Sequence, residues 1–256
     1  MVTGPEPLFS LRSAGVRFGP AWALEDVDLD VGPGERVAVV GPSGAGKTTL
    51  LSLLNGSLAP TTGSAVVLGQ DPAPARGAAR RRLQAEIGTV HQGLHLVGSL
   101  RVVHNVNAGR LGRWALWKAA WSLVRPLDLA AVELALARVG IEDKLWERTD
   151  RLSGGEQQRV ALARVLVQDP AAIVADEPIS SLDPARGAEV MDLLRDLALS
   201  LGKTLVVSVH AYQYALSHCQ RVVGLRSGRV VFDRPASQVS QQMVADLYRI
   251  PSPARR

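Results

Sequence analysis

The stretch from Arg36 to Asn55 limits the possible folds of this chain more than any other. Val37–Val40 is a continuous apolar run, as expected of a strand buried on both faces. It enters Gly41-Pro42-Ser43-Gly44-Ala45-Gly46-Lys47-Thr48, and a helix is expected from about Lys47 to Asn55, ended by Gly56 in a left-handed conformation. Glycines let a backbone curl with its N–H groups turned inward, and the helix start adds unpaired N–H groups and the positive end of a dipole. The spacing is that of G-x-x-x-x-G-K-[ST], a loop that cradles phosphate. On this reading Gly41, Pro42, Ser43, Gly44, Ala45, Gly46, Lys47, Thr48 and Thr49 form the cradle. Lys47 reaches the terminal phosphates, and the Thr48 hydroxyl offers itself to Mg2+.

A second chemical signal is Ile173-Val174-Ala175-Asp176-Glu177-Pro178, a strand ending in two carboxylates. Asp176 is expected to hold the metal, directly or through water. Glu177 is expected on the opposite face, by strand alternation, where it polarises a water for attack on phosphorus.

Around these motifs, Leu8–Val16 and Leu24–Val31 read as strands, the second in strict alternation. Val66–Leu68, Ile87–Val90 and Thr204–Val209 are further strands, and Arg221–Leu225 and Arg229–Phe232 form a hairpin around Ser227-Gly228. Leu100 to about Val139 reads mainly as helix, broken at Pro126. Ser153-Gly154-Gly155-Glu156 is a capping box that opens a helix running to about Gln168. Asp183-Pro184 opens another, which Gly202 closes. Strands alternating with helices imply an α/β sheet. A single domain is expected over 8–234, with its core at about 8–98 and 160–234, a helical subdomain at about 99–159, and a short tail at 235–256 whose last residues, Pro251–Arg256, are disordered.

Composition removes several function classes. The only cysteine is Cys219, so an intrachain disulfide or a cysteine-based metal site is excluded. No apolar run is long enough to span a membrane, and Met1–Ser10 lacks the basic flank and apolar core of a signal peptide. Arg76, Arg80, Arg81, Arg82, Arg101, Arg110, Arg113, Lys118 and Arg125 are accompanied by one acid, Glu86. A solvated basic face, an anionic membrane surface and an acidic partner all fit that segment. Nucleic acid is not expected, because no helix-turn-helix or zinc spacing accompanies the charge.

Leu152-Ser153-Gly154-Gly155-Glu156-Gln157-Gln158-Arg159 resembles the signature of the ATP-binding cassette (ABC) family. The resemblance spans roughly Leu8 to Arg234. It implies an α/β P-loop NTPase with a RecA-like core, an antiparallel β subdomain and an inserted α-helical subdomain. It also implies ATP and Mg2+ as ligands, and a head-to-tail dimer in which Ser153, Gly154, Gly155, Glu156 and Gln157 of one copy cover the nucleotide of the other. Carried over by motif, Phe18 stacks on adenine, Gln92 senses metal and water, and Ser181-Leu182-Asp183 crosses the dimer interface. His210 contacts the γ-phosphate, and Glu177 is the catalytic base. The metal set is then Thr48, Gln92 and Asp176. His91, which stands where many members carry an aromatic residue, reads with His95, His104 and His218 as structural or surface.

Asn105–Gly112, Arg138–Ile141, Asp176–Pro184 and Gly224–Gly228 are similar to the phosphonate-importer ATPases, which implies an ATP-hydrolysing motor for uptake of phosphonate, or of phosphite or phosphate. That likeness implies a subunit on the cytoplasmic face of the cell membrane, working with an integral-membrane permease and a periplasmic or lipid-anchored solute-binding protein. Another importer or an exporter with a different solute is the alternative, and a soluble ABC protein acting on nucleic acid is less favoured. Trp114, Trp117 and Trp121 recur at i, i+3, i+7 on one helical face. They read as core of the helical subdomain, or as a surface near the permease and lipid headgroups.

Overall fold

The computed structural model describes residues 6–180 and 182–249, so Ser181 and Pro251–Arg256 lie outside the described residues. In chain order the elements are β1 (Phe9–Phe18), β2 (Ala21–Val31), β3 (Arg36–Val40), α1 (Lys47–Leu54), β4 (Thr62–Val67), α2 (Gly77–Ala85), β5 (Ile87–Val90), α3 (Val102–Asn107), α4 (Leu116–Val124), α5 (Leu129–Arg138), α6 (Gly154–Gln168), β6 (Ala172–Asp176), α7 (Pro184–Ser200), β7 (Thr204–Val209), α8 (Tyr212–His218), β8 (Arg221–Arg226), β9 (Arg229–Pro235) and α9 (Gln241–Tyr248).

One sheet runs β5-β6-β7-β3-β8-β9, parallel except for the last pair; a second, antiparallel, runs β2-β1-β4. The apolar run of β3 has the double burial expected of it. Val37 and Val39 face one core with α1 and the antiparallel sheet, and Ala38 and Val40 face another with α5, α6 and α7. β6 divides the same way, Ala172 and Val174 to the first core, Ile173 and Ala175 to the second. Every residue of these strands therefore needs an apolar or hydrogen-bonded side chain, which is why the sequence shows runs there instead of alternation.

The strict alternation expected of Leu24–Val31 fails. Asp26 adopts a left-handed φ of 53°, and Leu24 and Val27 pair with Val16 and Ala14 across the resulting bulge. Both side chains are thus buried although three positions apart. At the β8–β9 hairpin, Ser227 and Gly228 both take positive φ, 49° and 77°, a turn whose twist suits paired strands. The Gly228 N–H donates to the Ala45 carbonyl at 3.0 Å, which ties this hairpin to the glycine loop.

The helical stretch breaks at Pro126 as expected, and once more between α3 and α4. A Cβ on Gly109 would lie 2.2 Å from the Arg164 carbonyl, and one on Gly112 would lie 2.9 Å from the Ala85 Cβ. The chain passes too close to α6 and α2 there for a regular helix with side chains. α4 begins after Trp114, so the three tryptophans share no helix, and Trp117 and Trp121 are exposed; core packing is not their role. Besides one in the C-terminal tail, two helices went unread in the sequence. α2 buries only Leu83 and Ala85, and α8 only Ala215 and His218, too few positions to set a period.

Residues 235–249, read as a short tail, carry α9. The Ser240 hydroxyl accepts from the Met243 N–H at 3.2 Å, and Val244 and Leu247 are buried. Leu247→Ala should cost about 2 kcal/mol and lower Tm by about 4–8 °C in a thermal melt. An unchanged Tm would mean that α9 contributes nothing to the core.

Candidate functional site

Three neighbouring strands, in the order β6-β7-β3, deliver the site at their carboxyl ends. β3 leads into the glycine loop. A Cβ on Gly41 would sit 2.1 Å from the Leu225 carbonyl oxygen, and one on Gly46 (φ 102°) would sit 2.5 Å from that of Ala23. Only glycine fits at either position. Ser43, Gly44 and Thr48 are exposed, and Pro42 and Thr49 are half-buried. Ala45 donates its N–H to Pro42, whereas the N–H groups of Gly44, Gly46, Lys47 and Thr48 find no acceptor among the described residues. A loop with several aligned, unpaired N–H groups at a helix start is an anion cradle. Lys47 is buried, and its Nζ donates to the Gly41 carbonyl at 3.0 Å and the Pro42 carbonyl at 3.3 Å.

β6 ends at Asp176. Its Oδ1 accepts from the Ser208 hydroxyl at 2.7 Å, and the Ser208 Oγ in turn accepts from the Glu177 N–H at 2.9 Å. Glu177 itself lies past the strand with φ 47°, so a left-handed turn aims its side chain, not strand alternation. Glu177 Oε1 stands 3.5 Å from Lys47 Nζ and 2.7 Å from His210 Nε2. A carboxylate only accepts, so that imidazole contact requires a proton on Nε2. His210 follows β7, and the Tyr248 hydroxyl of α9 holds its carbonyl at 3.0 Å.

The remaining expected residues stand further off. Gln92 lies two residues beyond Val90, whose register partner is Ala175, so it is level with Glu177 across the sheet. Its side chain is exposed. The turn it opens is held from α6, where the Arg164 guanidinium donates to the Leu94 and His95 carbonyls at 2.7 and 2.9 Å. His91 stacks on His95 with centroids 4.3 Å apart, and burial pushes His91 below the ordinary histidine range. Phe18 closes β1 and is exposed. Leu182 and Asp183 line a cleft of about 230 Å³ with Glu177 and His210.

The capping box forms as read. The Ser153 Oγ accepts from the Glu156 N–H at 3.3 Å, and the Glu156 carboxylate accepts from the Ser153 N–H at 2.8 Å. The Ser153 N–H and hydroxyl together hold Glu156 below the usual carboxylate range. The Gln157 N–H donates to the Ser153 carbonyl, and its side chain to the Leu152 carbonyl at 3.0 Å. No described hydrogen bond or ion pair joins Ser153–Gln157 to the Lys47–Glu177–His210 group, so within one chain these are two separate helix ends with unpaired N–H groups.

The donor set fits a magnesium ion. Mg2+ keeps its waters and takes one or two carboxylates plus substrate phosphates, not a protein cage. Asp176 Oδ1 is engaged by Ser208, which leaves Oδ2 for the metal or its water, with the exposed Thr48 hydroxyl in the adjoining loop. No group of three or more His, Cys, Asp or Glu side chains that could hold a metal occurs among the described residues.

Comparison with known proteins gives this geometry its context. The model of the family described as "ABC transporter" matches residues 24–180. A phosphonates import ATP-binding protein, PhnC, of Anaeromyxobacter dehalogenans is 51% identical over 95% of this chain, which spans 49% of that relative's length. PhnC 2 of Pseudomonas aeruginosa is 49% identical over 88% of this chain and 85% of its own. The chain belongs to the ABC transporter family. The cassette is similar in structure to CbiO1 of Clostridium perfringens (TM-score 0.79, 27% identity, 94% of each chain). It is also similar to the cassette MJ0796, solved as a dimer (TM-score 0.77, 27% identity, 89% of this chain and 98% of that one).

Motif reading of this cassette missed Ser208 and Tyr248. The signal for Ser208 was present: a serine inside the apolar run Thr204–Val209, two residues before His210, and fully buried. Buried hydroxyls need partners, and here both partners are the acidic pair. Ser208→Ala should lower kcat for ATP hydrolysis about tenfold while ATP affinity stays within about twofold, and Ser208→Thr should restore turnover. Full turnover in the alanine variant would leave Ser208 a packing role only.

Proposed function

We propose that two copies of this chain form the ATP-hydrolysing motor of a phosphonate importer, on the cytoplasmic face of the cell membrane, beside a permease fed by a solute-binding protein. The observation that carries this reading is the sharing of Glu177 Oε1 by Lys47 and His210 beside the glycine loop. The names of the relatives, at 49–51% identity, support the solute class.

The free N–H groups of the loop and the Lys47 ammonium would hold the β- and γ-phosphates, and the exposed ring of Phe18 would stack on adenine. Thr48, Asp176 and Gln92 would hold Mg2+, which supplies positive charge against the oxygens of the transferred group. Lys47 and His210 are both donors suited to a γ-phosphate oxygen. Once engaged there, they cease to compete for Glu177, whose carboxylate then accepts a proton from water as the water oxygen bonds to phosphorus. The bond to the ADP oxygen breaks, and the products are ADP and phosphate.

The glycines of the second helix end support the dimer. A Cβ on Gly154 would meet nothing within 4 Å, and one on Gly155 only the Arg186 Cδ at 3.9 Å. Neither takes a left-handed φ. Among the described residues nothing requires glycine at either position, and their N–H groups find no acceptor there. A phosphate brought by a second copy accounts for both facts. Leu182 and Asp183 border the Glu177 cleft, and the loop they belong to would cross to that copy.

Glu177→Gln should abolish hydrolysis, retain ATP binding and accumulate an ATP-bound dimer in size-exclusion chromatography. Near-normal hydrolysis would refute the role of Glu177. Reconstitution with the permease and solute-binding protein that pair with this chain should give ATP-dependent phosphonate uptake. Uptake of an unrelated solute would overturn the substrate class and leave the motor standing.

A further inference from the structure

α4 is amphipathic in the wrong sense for a helix of a folded interior. Its inward face is small and polar. Ser122 is buried, its hydroxyl bonds to the Ala119 carbonyl at 2.7 Å, and its own carbonyl meets His104 Nδ1 at 3.2 Å. Its outward face carries Leu116, Trp117, Trp121 and Val124, which are 77%, 74%, 54% and 79% exposed. These positions follow i, i+1, i+5 and i+8, one continuous side of the helix. Single exposed apolar residues are ordinary, but a contiguous ridge with two tryptophans marks a contact surface.

The surrounding charge names the partner. No acid occurs between Glu86 and Asp128. Those two are spent on the ion pairs Arg113–Glu86 (3.0 Å) and Arg110–Asp128 (2.7 Å). Lys118 lies over the Trp114 ring at 5.0 Å, and neither it nor the exposed Arg125 has a carboxylate partner among the described residues. α2 approaches the segment that leads into α4, with the Arg81 carbonyl 3.7 Å from a Cβ at Gly112, and exposes Arg81 and Arg82. An apolar ridge flanked by unneutralised cations is the chemistry of an anionic headgroup layer, where indole rings settle at the boundary with the acyl chains. The ridge is exposed, and no α4 residue lines the Glu177–His210 cleft or the one bordered by His91 and Arg164. Its outer face offers no hydrogen-bonding group except indole N–H, which suits lipid better than a protein surface.

We propose that α4 is a membrane-contacting element that rests the helical subdomain on anionic lipid, with Trp117 and Trp121 as its anchors. The test uses the full chain with vesicles of phosphatidylcholine alone or mixed equally with phosphatidylglycerol. The chain should co-sediment with the anionic vesicles and its tryptophan emission should shift to the blue. In Trp117→Ser/Trp121→Ser, apparent affinity should fall at least about tenfold, since the apolar area entering the interface is lost. In Lys118→Glu/Arg125→Glu the preference for anionic vesicles should disappear. ATP hydrolysis should be unchanged in both. Indifference of the parent chain to vesicles, or undiminished binding by the tryptophan variant, would overturn the proposal. A tryptophan variant defective only in binding detergent-solubilised permease would overturn it in favour of a protein partner, and one that abolishes self-association would do so in favour of a second copy.

Discussion

One carboxylate oxygen, Oε1 of Glu177, lies within reach of an ammonium from the strand-to-helix loop after β3 and an imidazole from the end of β7. Much of the fold serves that meeting. β6, β7 and β3 must be adjacent and parallel for the three residues to converge at one edge, and parallel strands need crossovers that cover both faces with helices. The double burial of Val37–Val40 and Ala172–Ala175 is thus the packing consequence of an electrostatic requirement. Ser208 is the exception that shows the cost. A hydroxyl in a fully buried strand is tolerated because it gives a proton to Asp176 and takes one from the Glu177 N–H.

What was legible in the sequence was whatever rests on short-range chemistry. The glycine loop, the capping box at Ser153, the Asp183-Pro184 helix start and the Gly202 stop need only local residues, and their elements stand within a residue or two of expectation. Illegible features depended on neighbours far along the chain. The bulge at Asp26 exists because Val16 and Ala14 impose a spacing that β2 must meet. The break between α3 and α4 exists because Gly109 presses on Arg164, more than fifty residues away in sequence. The left-handed Glu177 could not be foreseen from alternation, which describes strands and stops where the strand does. α9 has a serine cap, but its buried side consists of little more than Val244 and Leu247.

The tryptophans show the same limit from the other side. Period alone says that Trp117 and Trp121 share a face, not which way the face turns. Direction is set by what lies beneath, and on its inward side α4 meets the His104 ring through its own Ser122 carbonyl, a polar contact instead of an apolar one. Charge reversal at Arg110 and Arg113 would break ion pairs with Asp128 and Glu86, so Lys118 and Arg125 are the cations that report on the outer surface.

α6 joins the separate parts of the site. Its first turn presents the unpaired N–H groups of Gly154 and Gly155. Midway along, Arg164 grips the two carbonyls of the Gln92 turn. At its end the Gln168 amide donates to the Ala85 and Ile87 carbonyls at 3.0 and 2.9 Å, fastening the helix to the start of β5. A helix is stiff along its axis, and these bonds engage backbone, which cannot swing away as a side chain does. A force on the Gly154–Gly155 end, such as a phosphate held by another copy, therefore reaches the Gln92 turn and the cleft of about 410 Å³ that His91, His95, Arg164 and Gln168 line. The two helix ends with unpaired N–H groups are not joined within a chain, yet α6 links one of them to the turn that lies level with Glu177.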